Sequence, residues 1–439
     1  MRYIFLATLL FSTLGAAAQA YDSPATVAVG RDTPRSRIVA YSSLADAQTF
    51  ERGTSRYVRP VTDWQERTSE AGRILSGEFA MPFAWIDREL LLHVASAGSS
   101  YEVTVNGQRA GYVQDGTTPA DFDITKLAVE GKNRVSVTLF APAVGDALLR
   151  NPETSPTLGD CYVMAQPKMR VRDVVAGSSL ADDGRSGVLS LGIVMKTHAL
   201  NPKTTRVYYE LVAPDSTKVL DGYKDLTLDM RREDTVRIMH VVPRAQMWSA
   251  QQPNLFTLIV KTRYEGRINE YVPVKVGFRT VATDAGRLLV NGDPVELRLK
   301  ELDADAQPDE LKDLKRSGYN ALRLPAGRLS RELLDRCDSL GLYVIDQLPI
   351  DTSRAGLSRK RGGNPSNDPA WRDAYLDRTQ QHYHVVKRHP SIVAFSLARE
   401  SANGINLYES YLRLKELEPQ RPVIYTEAGG EWNSDRLDL

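Results

Sequence analysis

Acidic side chains standing directly after short apolar runs hold the chemical promise of this sequence. Glu400 closes the stretch Ser396-Leu397-Ala398-Arg399-Glu400-Ser401, Asp346 ends Leu342-Tyr343-Val344-Ile345-Asp346, and Glu427 and Glu431 follow Pro422-Val423-Ile424-Tyr425. A carboxyl group held beside a reacting bond can donate or accept a proton or attack as a nucleophile, which a carboxylate on a solvated loop cannot do. Arg399 bears on that choice. A neighbouring guanidinium favours the charged carboxylate, whereas a general acid must carry its proton near neutral pH. Asp160 is a further acidic candidate, with a solvated turn beside Gly159 as the plainer reading. The glycine pair in Ala428-Gly429-Gly430 lacks the further glycines and the Lys-Ser/Thr ending of a phosphate-binding loop.

The elements that must position these groups change character along the chain. Residues 37–142 are dense in short alternating segments such as Arg134-Val135-Ser136-Val137-Thr138-Leu139, and the Asn-Gly pair in Val105-Asn106-Gly107-Gln108 suits the positive φ angles of a tight hairpin. This predicts an antiparallel β-sandwich. Strands continue over 156–283, for example Thr205-Arg206-Val207-Tyr208-Tyr209-Glu210-Leu211-Val212, and no long helical period interrupts them. A second, immunoglobulin-like sandwich is the expectation there. After Gly286 helical segments (308–317, 330–340, 371–387, 408–417) alternate with short apolar strands (319–323, 342–346, 392–397, 422–425), which is βα repetition and hence a parallel sheet. With a strand near 288–299 the count is about five strands of a barrel-like array. Cys161 and Cys337 fall in different predicted domains and read as core thiols.

Composition narrows the function. The 439 residues are 42% hydrophobic and 25% charged, with 56 Lys plus Arg against 55 Asp plus Glu. So even a balance offers no electrostatic footprint for nucleic acid or an anionic membrane. Arg2, an apolar run over 3–14 and the ending Ala18-Gln19-Ala20 read as a secretory signal over 1–20, so an exported protein, periplasmic or extracellular, is expected. The run is shorter than a bilayer span needs, and no later segment reaches that length. The expected domains are therefore a signal over 1–20, a first sandwich over 21–155, a second over 156–283 and a partial barrel over 284–439.

Local motifs give this order a family. Tyr101-Glu102-Val103-Thr104-Val105-Asn106-Gly107 and Asp121-Phe122-Asp123-Ile124-Thr125 in the first domain, Gln252-Pro253-Asn254-Leu255-Phe256-Thr257-Leu258 and Val276-Gly277-Phe278-Arg279 in the second, and Cys337-Asp338-Ser339-Leu340-Gly341-Leu342-Tyr343-Val344-Ile345-Asp346 and Arg388-His389-Pro390-Ser391-Ile392-Val393 in the third are close to family signatures. The chain resembles glycoside hydrolase family 2, the β-galactosidase and β-glucuronidase family. The resemblance implies a multidomain β plus α/β fold: a jelly-roll sugar-binding domain, an immunoglobulin-like sandwich and a TIM-type (β/α) barrel, here incomplete.

The resemblance also implies a retaining glycosidase, whose two carboxyl groups about 5 to 5.5 Å apart serve as acid/base and nucleophile. It places Glu400 as the acid/base residue at the C-terminal end of a barrel strand. Asp160 matches an Asp that contacts the sugar, and Arg399, Asp346 and Glu427 fall at substrate-binding positions. Several positions depart from the family pattern. Arg399 replaces an Asn that bonds the sugar 2-hydroxyl, Arg323-Leu324-Pro325-Ala326-Gly327-Arg328 and Lys300-Glu301-Leu302-Asp303-Ala304-Asp305 lack expected His residues, and Asp346-Gln347-Leu348-Pro349 stands for Asp-Glu-Ala-Asn. The nucleophilic Glu would fall beyond Leu439, since roughly 150 residues follow Gly286 where a complete barrel takes about 250. No cofactor is required; a divalent cation such as Mg²⁺ would sit at Asp351, Ser353 and Glu400, without the family's His. Residues 354–361, with four basic side chains, are suited to sulfated or uronic sugars at the rim or to plain solvation.

Three functions stay open on these residues. The first is an exported hydrolase of β-linked glycans of β-galactosidase type. The second is a carbohydrate-binding protein without catalysis, and the third is a homo-oligomer or assembly component whose partner chain covers the open barrel edge.

Overall fold

The computed structural model describes residues 21–439 apart from 22, 71, 182–184, 304, 305, 326 and 328–330, so the signal over 1–20 and the side chains of Ala304, Asp305, Ala326 and Arg328 lie outside the described residues. The hairpin signal comes first in the first sandwich. Asn106 and Gly107 both take positive φ, 52° and 77°, and the strands they join, Tyr101–Val105 and Gln108–Val113, are the adjacent antiparallel pair that this turn geometry demands. These strands lie in a six-stranded sheet with Ala28–Val29, Gly131–Leu139, Gly72–Met81 and Thr62–Ser69, packed on a four-stranded sheet of Val58–Pro60, Cys161–Gln166, Glu89–Val94 and Ala120–Asp123. Inward positions of both sheets, among them Leu92, Val94, Val103, Val135 and Val137, fill the space between. The ladder corrects the first domain boundary. Cys161–Gln166 pairs along its whole length with Glu89–Val94, so this sandwich runs to Gln166 and not to 155.

The second sandwich has seven strands in two sheets, Met169–Leu180, Gly187–Thr197 and Glu233–Val242 facing Lys218–Leu228, Lys203–Val212, Phe256–Tyr264 and Arg267–Val276. Alternation in Lys203–Val212 buries Thr205, Val207, Tyr209 and Leu211 and leaves the residues between them at the surface. Phe256 and Phe278 meet edge to face at 4.9 Å in its core.

The stretch 288–299 is not one strand. Asn291 and Gly292, again both at positive φ, turn it into the hairpin Arg287–Val290 and Asp293–Val295 of a separate three-stranded meander. The parallel sheet then runs in chain order through Leu299–Glu301, Ala321–Arg323, Tyr343–Gln347, Ile392–Ser396 and Val423–Ile424. Helices Leu311–Arg316, Arg331–Leu340, Arg372–Val386 and Ile405–Leu417 form the crossovers. Their apolar faces bury Val344, Leu348, Ile392 and Leu397 on the outer face of the sheet. The inner face carries Ile345, Ala394 and Ile424, and Leu297, Leu299 and Leu437 pack against it.

Buried charge joins the three domains. Arg170 of the second sandwich, fully enclosed, donates Nε and Nη2 to the two oxygens of Glu89 in the first at 2.6 and 2.9 Å. Burial alone would push the Glu89 carboxyl up, but His198 and Arg170 outweigh it and hold the group well below the usual carboxylate range. Arg279 leaves the second sandwich to donate to the carbonyl of Ile392 at 2.8 Å, and the Trp248 indole donates to that of Asp338 at 2.9 Å. Glu89→Ala strands a buried guanidinium and should lower stability by about 3 to 5 kcal/mol. Urea unfolding monitored by circular dichroism should show the shift; Glu89→Leu with Arg170→Met should lose less than the single variant.

Candidate active site

The groups at the C-terminal ends of the barrel strands form a ladder of alternating charge. Glu301 ends the first strand and Arg323 the second, and they meet at 3.4 Å. Arg399, after the fourth strand, reaches Glu301 at 3.0 Å and Glu400 at 3.5 Å. The other oxygen of Glu400 meets Arg150 of the first sandwich at 3.1 Å. Arg150 is placed by its neighbours. Leu148 is fully buried in the barrel core and its carbonyl accepts from Asp351 N at 2.9 Å, so the turn Val144–Leu148 is pinned to the barrel two residues before the guanidinium. Arg378, on the helix after the third strand, donates to Pro349 O at 2.7 Å and Gly145 O at 3.0 Å and locks the same joint. Desolvation draws the Arg399 guanidinium down in proton affinity, but Glu301 and Glu400 outweigh it and raise the group. Glu400 itself holds φ at +46°, a left-handed conformation that a bulky L-residue adopts at a cost of about 1–2 kcal/mol.

Strand parity decides the third position. Val344 faces the helices and Ile345 faces inward, so Asp346 faces the helices too, where it bonds His382 at 2.7 Å with both side chains buried. Asp346 is therefore a structural partner of the helix layer, not a substrate contact. The inward residue is Gln347, 2% exposed, with its amide nitrogen unpartnered. The period-two pattern of the strand carries this signal: Gln347 shares the parity of the inward Ile345, and the acid beside it does not.

Asp160 also lies elsewhere. It pairs with Arg52 and, at 3.9 Å, Arg37, on the wall of a cavity of about 1160 Å³ shared with Asp338 and His389. His389 precedes the fourth barrel strand and Glu400 follows it, so Asp160 and Glu400 serve opposite ends of the sheet. Glu427 is exposed on the turn Thr426–Ala428 after the fifth strand and accepts from Thr426 Oγ1 at 2.9 Å. Glu431 pairs with Arg359 at 2.7 Å, which neutralises part of the basic 354–361 loop.

Comparisons agree with this architecture. Three models of glycosyl hydrolases family 2 match in succession: the sugar binding domain over residues 22–164, the central family 2 model over 169–279 and the TIM barrel domain over 293–438. The chain belongs to glycosyl hydrolase family 2. It is 28% identical over 361 residues to a β-galactosidase of Priestia megaterium, covering 78% of this chain and 35% of the relative, and 30% identical over 367 residues to one of Photobacterium profundum, covering 78% and 34%. The chain thus spans about a third of the length of the curated relatives it matches. Among solved structures, β-glucuronidase 2 of Bacteroides uniformis superposes with a TM-score of 0.70 at 17% identity, covering 90% of this chain and 52% of that one. A family 2 member from Bacteroides cellulosilyticus gives 0.69 at 16%, covering 90% and 57%.

The family's cation position does not fit a divalent ion in this member. Asp351 is buried and turned back onto Ser353, whose N and Oγ donate to it at 3.1 and 2.6 Å, and Glu400 faces two guanidinium groups that would repel Mg²⁺. Among the described residues, triads of ligand atoms occur instead at Glu89, Asp123 and His198, across the joint between the two sandwiches, and at Asp335, Asp338 and His389, within the barrel.

The two histidine pairs behind the strands make stability depend on pH. Burial pulls His382 down, but Asp346 outweighs it and raises the imidazole above its ordinary value; His389, against Asp338 at 2.6 Å, is raised in the same way. A raised histidine contributes stability that is complete below the unfolded value of about 6.5 and is lost as pH rises through the folded one. The thermal midpoint should fall as pH rises above about 6.5, and Asp346→Asn should flatten that fall. His384, pushed down to about 4 by burial and Lys387, titrates below this window.

Proposed function

We propose that this family member serves carbohydrate metabolism as an exported protein acting on β-linked glycans, with Glu400 in the acid/base position of a glycosidase. The observation that carries the reading is the strained, positive-φ placement of Glu400 at the mouth formed by the strand ends. Left-handed backbone at a bulky residue is retained where surrounding structure over-determines it, and functional sites are where such strain collects. The β-galactosidase names of the curated relatives support the substrate class. Export would follow from the apolar N-terminal run, and mass spectrometry of the secreted form should then give Tyr21 as its first residue.

A specific observation favours a second reading, glycan binding without cleavage: both oxygens of Glu400 already face guanidinium groups, which a substrate oxygen would have to displace to reach the carboxyl. A panel of aryl β-glycosides separates the two. Under the first reading wild type turns over at least one substrate and Glu400→Gln lowers kcat/KM by roughly 100-fold or more. Turnover of the Gln variant at the wild-type rate removes Glu400 from the chemistry. No turnover by wild type, together with retention on a β-glycan affinity gel, selects binding alone, and loss of both defeats the carbohydrate reading.

A further inference from the structure

Trp432 is exposed over 58% of its surface, whereas Trp85 and Trp248 are buried in cores. Leaving an indole in water forgoes burial of an aromatic surface of 150–250 Å² at about 25 cal/mol per Å², so a rigid exposed one calls for a ligand. Its rigidity is built. Tyr408 lies against the indole with ring centroids 4.6 Å apart and planes inclined by 36°, and Tyr411 meets it edge-on at 6.0 Å. The next residue, Asn433, is fully buried and exchanges two amide hydrogen bonds with Asn403, at 3.1 and 2.8 Å. On the preceding side Glu431 pairs with Arg359, whose Nε donates to Asn403 O at 3.1 Å.

These contacts tie Trp432 to the mouth. Asn403 belongs to the loop that carries Glu400 and Trp432 to the loop after the fifth strand, so both leave the same, C-terminal end of the sheet. A flat aromatic face beside the Arg359–Glu431 pair suits a pyranose: its C–H face stacks on the indole while its hydroxyls turn to that charged pair.

We propose that Trp432, backed by Tyr408, is a stacking platform for a sugar ring of a β-linked glycan extending outward from the mouth at Glu400. The platform rests on the carbohydrate reading above and adds to it a subsite for chain length. It makes the protein prefer oligosaccharides to single sugars.

The test is isothermal titration of wild type, Trp432→Ala and Trp432→Phe with the tightest-binding tetrasaccharide from an array of β-linked oligosaccharides, and with its parent monosaccharide. Trp432→Ala should weaken the tetrasaccharide about tenfold and leave the monosaccharide unchanged, and Trp432→Phe should stay within about threefold of wild type. The tetrasaccharide should also shield wild-type tryptophan fluorescence from acrylamide, and this shielding should vanish in Trp432→Ala. Unchanged tetrasaccharide affinity in a folded Trp432→Ala, checked by its thermal midpoint, overturns the platform alone. A blank array with wild type overturns the carbohydrate reading beneath it.

Discussion

Charge buried across the domain joints is the constraint on which the rest of this molecule depends. An ion removed from water costs several kcal/mol unless its partner is present in good geometry, so each joint tolerates one docking and penalises neighbouring ones. Arg170 with Glu89, Lys387 with Asp173 at 2.5 Å, and Arg378 with Asp115 at 3.4 Å bind the first sandwich, the second and the barrel into one arrangement. That arrangement sets the mouth. Arg150 belongs to the first sandwich, and only the docking that seats Leu148 in the barrel core brings its guanidinium to Glu400.

At the mouth the alternation of Glu301, Arg323, Arg399, Glu400 and Arg150 makes the end of the sheet largely self-neutralising. Apart from the mostly buried Arg323, these side chains are well exposed, so their pairs contribute little to stability, and their weight lies in where they hold the carboxylates. A ligand entering here must compete with the protein's own guanidinium groups for Glu400. The aromatic pair at Trp432 stands beside that competition, next to the Arg359–Glu431 ion pair rather than among the groups that hold Glu400.

Much of the fold was legible because it rests on local periodicity. The Asn106-Gly107 hairpin, the strand alternation and the βα succession all follow from interactions a few residues apart, and the helix read over 371–387 is observed as Arg372–Val386. Structure and sequence pattern part where a local signal has a second solution. Asn291-Gly292 split an apolar stretch that read as one strand, and Cys161–Gln166 joined the first sandwich because its pairing partners lie about seventy residues earlier.

By itself the sequence determined the three-domain order, the family and the position of Glu400 at the end of a barrel strand, since all three are carried by contiguous motifs. Tertiary structure alone decided what those residues face. It turned Asp346 toward His382 and Gln347 inward, sent Asp160 to the opposite end of the sheet, closed Asp351 onto Ser353 and brought Arg150 to Glu400. The physical reason is common to these cases: side-chain direction depends on strand parity and charge pairing on domain docking, and both are settled by contacts between segments far apart in the chain.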